Sequence, residues 1–383
     1  MQTLLRVGVR KRLEFAGWFA AYSLFAISSA AQQPVARITT AVDDAVRTTI
    51  PGTHPVMARP EDDAGRLPLG SKFEGVSIAF SRTPAQEADL QVLLTAQQDP
   101  TSPLYHKWLN PDEFGARFGL AESDIAKVQS WLELHGFGVE SVSRSKNRIS
   151  FSGSVEQVES AFGTEMHYYK LNGETHFAPS GDVSVPAAFS SVVQTITNLS
   201  TFRPKPHIRY QGPRRAVNPN FSSSQSGNHF LTPKDIATIY DINPAYNAGY
   251  NGSGQSIAVV GQSDVVMTDI EHFQTAAGFT VKDPVRVLAS STNPGIKSGD
   301  ETESDLDLEY TSTIANGATI YFVFSSAGVF DAITYAVNNK TAPIISVSYG
   351  LCETALGSSG YSSLNAILAQ AASQGQSVIV AAG

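Results

Sequence analysis

Ser256-Ile-Ala-Val-Val260 is an unbroken apolar run held between Gly254 and Gly261, and it sets a rhythm that lasts to residue 383. An apolar run of that length marks a strand buried on both faces. Helical periods then alternate with further apolar runs: helix 269–277, strand 285–289, helix 303–315, strand 318–324, helix 329–338, strand 344–349, helix 361–374 and strand 378–382. Thr232-Pro233 opens one more helix upstream, through Tyr240. Strands alternating with helices predict a parallel sheet with helices on both faces. The last strand stops at its carboxyl edge, where functional loops follow in such sheets. The protein is therefore expected to continue beyond Gly383.

Working toward the N-terminus, residues 203–229 change character. Arg203-Pro-Lys-Pro-His207, Arg214-Arg215 and a Ser-rich stretch read as an exposed linker, and as the place where a protease would cut. Before it, residues 67–202 read as one α+β unit. The predicted order is strand 76–80, helix 84–97, a helix start at Asn110-Pro111, helix 121–135, paired strands 138–142 and 148–151, and helix 154–162. Ser154 with Gln157 makes a capping box. A hairpin turning on Asn172-Gly173 closes the region. That order suggests an open sandwich of the ferredoxin-like type. Residues 32–66 show no sustained period and are expected to be a mobile lead-in.

The first 31 residues carry a positive start (Arg6, Arg10, Lys11, Arg12), an apolar run from Phe15 to Ile27, and small residues before Gln32. This is the layout of a cleaved secretory signal, so a secreted protein without stable membrane association is expected. The chain has 383 residues, 42% hydrophobic and 16% charged, which suits about two folded domains and excludes wholesale disorder. A single cysteine, Cys352, excludes a disulfide framework within the chain and a Cys-based zinc cluster; it is expected to be a small packed residue. The net charge of −8 argues against nucleic acid as a partner. The acidity is local: residues 229–383 hold fourteen acids against five bases, whereas residues 1–228 are nearly balanced.

The concentration lies in Asp300-Glu-Thr-Glu-Ser-Asp-Leu-Asp-Leu-Glu309, six acids in ten residues. On a helix, Glu301/Asp305 and Glu303/Asp307 would each share a face at about 6 Å. No Lys or Arg occurs between Lys297 and Lys340 to neutralise them. Two readings stay open on pattern alone: a solvated helix start favoured by the macrodipole, or a buried pair sharing one proton for acid/base work. A calcium loop is a third, though EF-hand spacing is absent. Residues 229–383 hold only two histidines, and the sequence has no G-x-S-x-G, H-E-x-x-H or P-loop. A His-based serine hydrolase is thereby disfavoured.

The arrangement resembles the sedolisin family of serine-carboxyl peptidases with a pro-kumamolisin-type activation domain. Ser102-Pro-Leu-Tyr-His-Lys-Trp-Leu109, Pro111-Asp-Glu-Phe114 and Phe118-Gly119 carry the resemblance in the first part. Leu231-Thr-Pro233, Tyr240, Gly252-Ser-Gly-Gln-Ser-Ile-Ala-Val-Val260, the Glu-x-x-x-Asp of Glu303 to Asp307, and Ser346-Val-Ser-Tyr-Gly350 carry it in the second. It implies a subtilisin-like α/β fold over residues 230–383, with Glu303 as general base and Asp307 as its partner. It leaves Glu301/Asp305 as a solvated pair. Ser348, Tyr349 and Gly350 would line the bound peptide. The family's oxyanion Asp, its nucleophile in a Gly-Thr-Ser setting and its calcium site have no counterpart here, so no metal ligand is assigned and calcium is expected only of a full-length member. Where some members carry a Glu after the first strand, this chain has Gly261.

The expectation is thus a monomeric precursor: signal 1–31, lead-in 32–66, prodomain 67–202, linker 203–229 and the first part of a peptidase domain, 230–383. Its partners would be polypeptide substrates and its own prodomain, and the chain by itself would be inactive. The alternative is a catalytically dead inhibitor or chaperone-like binding protein.

Overall fold

The computed structural model describes residues 34–206, 221–222 and 229–382. The segment expected to be a signal and most of the expected linker lie outside them. The first part holds β1 (Arg47–Thr49), β2 (Asp63–Arg66), β3 (Lys72–Phe80), α1 (Pro84–Gln98), α2 (Pro111–Phe118), α3 (Glu122–Leu134), β4 (Gly138–Val142), β5 (Arg148–Ser154), α4 (Val155–Phe162), β6 (Met166–Leu171), β7 (Glu174–Pro179), β8 (Ser184–Pro186) and β9 (Val193–Thr197). Three helices start where side chains cap them. Thr83, Asn110 and Ser154 each accept from the amide three residues on, and the residue there bonds back. Four antiparallel strands lie in the order β4-β5-β3-β9, which is the ferredoxin-like order. One side of this sheet meets α3 and α4 in a core of Ile78, Phe151, Val128, Leu132, Trp131 and Phe162.

The lead-in is not loose. Ile38, Ile50 and Ala58 are buried, β1 pairs with β8, and β2 pairs with β6 beside the predicted hairpin. Aperiodic spacing hid this, because the segment docks by isolated side chains and backbone donors instead of a repeating face. Its first anchor is Asp124, fully buried on α3, which accepts the amides of Arg37 (2.5 Å) and Ile38 (3.2 Å).

Short pairs follow: β10 (Lys205–Pro206), β11 (Phe221–Ser222) and β12 (His229–Phe230). The second part then holds α5 (Pro233–Ile239), α6 (Asn243–Asn247), β13 (Ser256–Gly261), α7 (Met267–Ala276), β14 (Val285–Leu288), α8 (Asp300–Ile314), β15 (Thr319–Phe324), α9 (Val329–Asn338), β16 (Ile344–Val347), β17 (Tyr349–Gly350), α10 (Glu353–Ser373) and β18 (Ser377–Val380). Five strands form a wholly parallel sheet in the order β14-β15-β13-β16-β18. Alternate residues of β13 face opposite cores. Ala258 and Val260 pack with α9 and α10, and Val259 packs with Ile270 of α7 and Leu308 of α8. Both faces are covered, as the unbroken apolar strands require, and the α/β class expected for residues 230–383 is the one observed. α10 begins earlier than its period suggests, because the chain kinks at Gly357 (φ 72°) and joins a first turn from Glu353. Among the described residues no helix is long and apolar enough to cross a membrane.

Asp124 gives a test of the lead-in. Asp124→Ala leaves the buried Ile38 amide and the partly buried Arg37 amide without their acceptor, at about 1–3 kcal/mol. Denaturant unfolding should show that loss, and limited proteolysis should begin within residues 34–46; unchanged resistance there would reject the anchoring role.

Candidate active site

In a parallel sheet, a helix that follows a strand begins at the sheet's carboxyl edge. α8 follows β14, so Asp300–Asp307 lie at that edge. Residues 262 and 348–350, just past β13 and β16, lie there too, near the point where the strand order switches direction. Ligand crevices in such sheets form at this place.

Glu303 faces inward and is 4% exposed; Ser304 and Leu308 are buried beside it. Asp307, one turn on, accepts a hydrogen bond from Ser348 Oγ at 2.8 Å. Its other oxygen, Oδ2, is buried without a hydrogen-bond partner. Burial pushes the Asp307 carboxyl up to about 6; the Ser348 bond opposes the shift and the charge of Glu303 adds to it. A buried carboxylate with one oxygen unserved is a position that a proton would complete. Tyr349 is buried against the same helix, and its hydroxyl donates to Asp300 O at 3.4 Å. Ser348 thus stands apart from its neighbours: its hydroxyl serves Asp307, while Tyr349 and Gly350 offer their backbone. That edge is occupied, since Tyr349 and Gly350 pair antiparallel with Pro206 and Lys205.

The outer acids differ from the expected solvated pair. α7 packs on α8 and brings Asp269 against them. Asp305 is half-buried and pushed up to about 6, by burial first and then by Glu301 and Asp269. Glu309 is pushed up to about 7, by burial first and then by Asp305 and Asp269. Sequence spacing along one helix could not show a carboxylate arriving from another.

Other functional positions were missed. Gln262 is buried just past β13: its Nε2 donates to Pro204 O (3.0 Å) and Asp300 Oδ1 (2.9 Å), and its Oε1 accepts from the Val329 amide (3.3 Å). A polar residue directly after a buried strand, at the carboxyl edge, was the available signal. Asp331, in the first turn of α9, accepts from Ser325 Oγ (2.8 Å) and from Arg148 of β5 (3.0 Å). At Gly261 a Cβ would lie 2.9 Å from both Phe322 Cε2 and Ser304 Oγ. A Glu side chain has no room there unless both neighbours move. Cys352 is exposed, not packed, with its sulfur 3.2 Å from Thr354 Oγ1 at the start of α10. It sits in the turn between β17 and the helix, which leaves its side chain at the surface. Among the described residues no group of three or more His, Cys, Asp or Glu is arranged to hold a metal ion.

Comparison with known proteins bears on this edge. The pattern of the family described as "Pro-kumamolisin, activation domain" matches residues 64–202. Kumamolisin of Bacillus sp. (strain MN-32) is 28% identical over 328 residues, covering 82% of this chain and 57% of its own length. Sedolisin of Pseudomonas sp. (strain 101) is 27% identical over 322 residues, covering 81% and 54%. The chain is thus similar to these two proteins at 27–28% identity over about four fifths of its length. It spans about half the length of these sedolisin-family relatives. A solved structure of Pseudomonas sedolisin complexed with pseudo-iodotyrostatin overlaps 39% of this chain and 43% of its own at 24% identity, with a TM-score of 0.33. That overlap is too partial to add to the sheet topology above.

The raised carboxyls fix a direction for stability against pH. Asp305, Asp307 and Glu309 take up protons at higher pH when folded than when unfolded. The folded state then holds more protons between about 4 and about 7, so stability rises as pH falls through that window. Denaturant midpoints at pH 4.5 and 7.0 should show the acid sample the more stable. Asp305→Asn and Glu309→Gln should flatten the difference; a midpoint that rises toward neutral pH would contradict the assignment.

Proposed function

We propose that the protein is the precursor of a secreted serine-carboxyl endopeptidase active at acid pH, with Glu303 as general base and Asp307 as its proton-sharing partner. The observation that supports this best is buried Glu303 with half-buried Asp307 one turn on at the carboxyl edge, Asp307 being tied to Ser348 and a peptide segment laid along Tyr349–Gly350. A carboxylate works as a base near its own pKa. Two carboxylates this close resist double ionisation, so below neutral pH they would hold one proton between them. Glu303 would take the proton of a nucleophilic Ser hydroxyl and return it to the leaving amine. Asp307 would steady that proton through its unserved Oδ2, while Ser348 fixes the other oxygen. No Gly-Thr-Ser occurs in residues 230–383, and the proposal assigns neither nucleophile nor oxyanion residue.

A substrate would add to Tyr349–Gly350 as an antiparallel strand. The chain's own residues 205–206 take that place, which supports a prodomain that blocks the cleft until the 203–229 segment is cut. A parallel sheet forms slowly, since its contacts are distant in sequence; a docked companion domain would assist it. Calcium belongs to this reading only for a full-length member of the family.

The chain, expressed with any coding sequence that follows codon 383, should hydrolyse polypeptides below pH 6. Glu303→Gln should lower kcat/KM at least a hundredfold with the fold intact by circular dichroism. Activity unmoved by that change would reject Glu303 as the base.

A further inference from the structure

The segment that lies on Tyr349–Gly350 also places a side chain. Arg203 stands two residues before Lys205, the residue opposite Gly350. Its guanidinium is largely buried, its Nε has no hydrogen-bond partner, and the charges of Asp331 and Asp300 act on it. The floor beneath its stem is Gly328, at φ 106°, where a Cβ would lie 3.0 Å from Arg203 Cδ and 3.2 Å from Nε. Any larger residue would therefore both strain the backbone and fill the channel. The next residue is fixed as well, because Gln262 Nε2 donates to Pro204 O. A cavity of about 170 Å³ continues past Arg203 between Asp331, Leu356 and Ile367, leaving space for a basic side chain of another length.

The charge balance points the same way. Two arginines from before residue 229 bear on these carboxylates: Arg148 bonds Asp331, and Arg203 lines the same cavity as Asp331 and feels the charges of both Asp331 and Asp300. Lys297, whose charge also reaches Asp300 and Arg203, is the one cation of residues 229–383 in this group. Without Arg148 and Arg203, the little-exposed Asp331 and the half-buried Asp300 face one lysine. Ser325 still donates to Asp331 and Gln262 to Asp300, so both would stay in place and call for a cation.

We propose that Asp300 and Asp331, over the Gly328 floor, form a subsite that selects an arginine or lysine side chain of the peptide lying along Tyr349–Gly350. This rests on the reading above that peptides bind at that edge, and Arg203 is then the chain's own occupant of the subsite.

Two measurements separate this proposal from the peptidase reading. The first needs no turnover: hydrogen exchange of segments 203–206 and 349–350 in the full chain. Arg203→Lys should keep their protection. Arg203→Met, of similar reach but uncharged, should raise exchange at least tenfold, and Arg203→Glu further still. Equal protection in the lysine and methionine variants would overturn charge selection. The second is a peptide series hydrolysed by the processed protein, varied at the residue that occupies this subsite. Arg and Lys should exceed Met at least tenfold in kcat/KM, chiefly through KM, with Glu lowest. A flat series beside charge-dependent exchange would overturn the substrate half of the proposal. Absence of all hydrolysis would count against the peptidase reading, while the exchange data would still decide the subsite.

Discussion

The cost of crowding carboxylates onto one helix governs much of this structure. α8 opens with six acids in ten residues. The macrodipole welcomes negative charge in its first turn, but Glu303 and Asp307 face a dry interior, where ionised groups are costly unless paired or protonated. The helix meets this in two ways on its two sides. Outside, where Asp269, Asp305 and Glu309 converge, protons are the available remedy, and the last two carboxyls are raised accordingly. At its start, cations are brought in: Lys297 from the preceding loop and Arg203 from the segment that crosses the cleft. The acid stability and the occupied cleft therefore share one origin.

The docking of the two parts separates charged from neutral contacts. In one group of contacts, Asn147 donates to Asn338 Oδ1 and Gln370 Oε1, Gln370 donates to Ser145, and Gln97 donates to Ser373 O. These amides and hydroxyls do not titrate, and apart from Gln97 Oε1, which is buried without a partner, the contact is made by paired groups; satisfied polar pairs of this kind make a contact specifying instead of costly. Near the cleft the contact is ionic, through Arg148 and Asp331, both little exposed. Removing one partner of a buried pair is far more disruptive than losing a surface pair. The interface is thus held in register by groups indifferent to acid and completed by groups that carry charge.

What the sequence made legible was whatever repeats or caps locally. The five strands of the parallel sheet, the Ser154–Gln157 box and the Asn172-Gly173 turn, with both residues at positive φ, each announce themselves within a few residues. The Glu-x-x-x-Asp spacing was legible because one helical turn places its two carboxyls together. What stayed hidden depends on partners far along the chain. Ile38 is held by α3 nearly ninety residues on and Ile50 bonds Val183, Gln262 is fixed by Pro204 and Val329, and Asp331 is served by Arg148. Asp305 belongs here as well: its neighbours on the helix were visible, but Asp269 was not.

The cleft segment itself shows how a strand can occupy an edge and still be released. Strand addition normally draws its hold from backbone hydrogen bonds. Residues 203–206 read Arg-Pro-Lys-Pro, and the two prolines have no amide hydrogen to give. The pairing with Tyr349–Gly350 is only two residues long, so the ladder contributes little. The ion pair of Lys205 with Glu174, at 2.9 Å, is exposed at both ends, and pairs of that kind contribute about 0–1 kcal/mol. What remains is the bond from Gln262 to Pro204 O and the Arg203 side chain over Gly328. A segment with a weak backbone and one buried cation is held chiefly by recognition of that cation. Its grip then depends on the charges of Asp300 and Asp331, which belong to the same acidic edge as the pair proposed for catalysis.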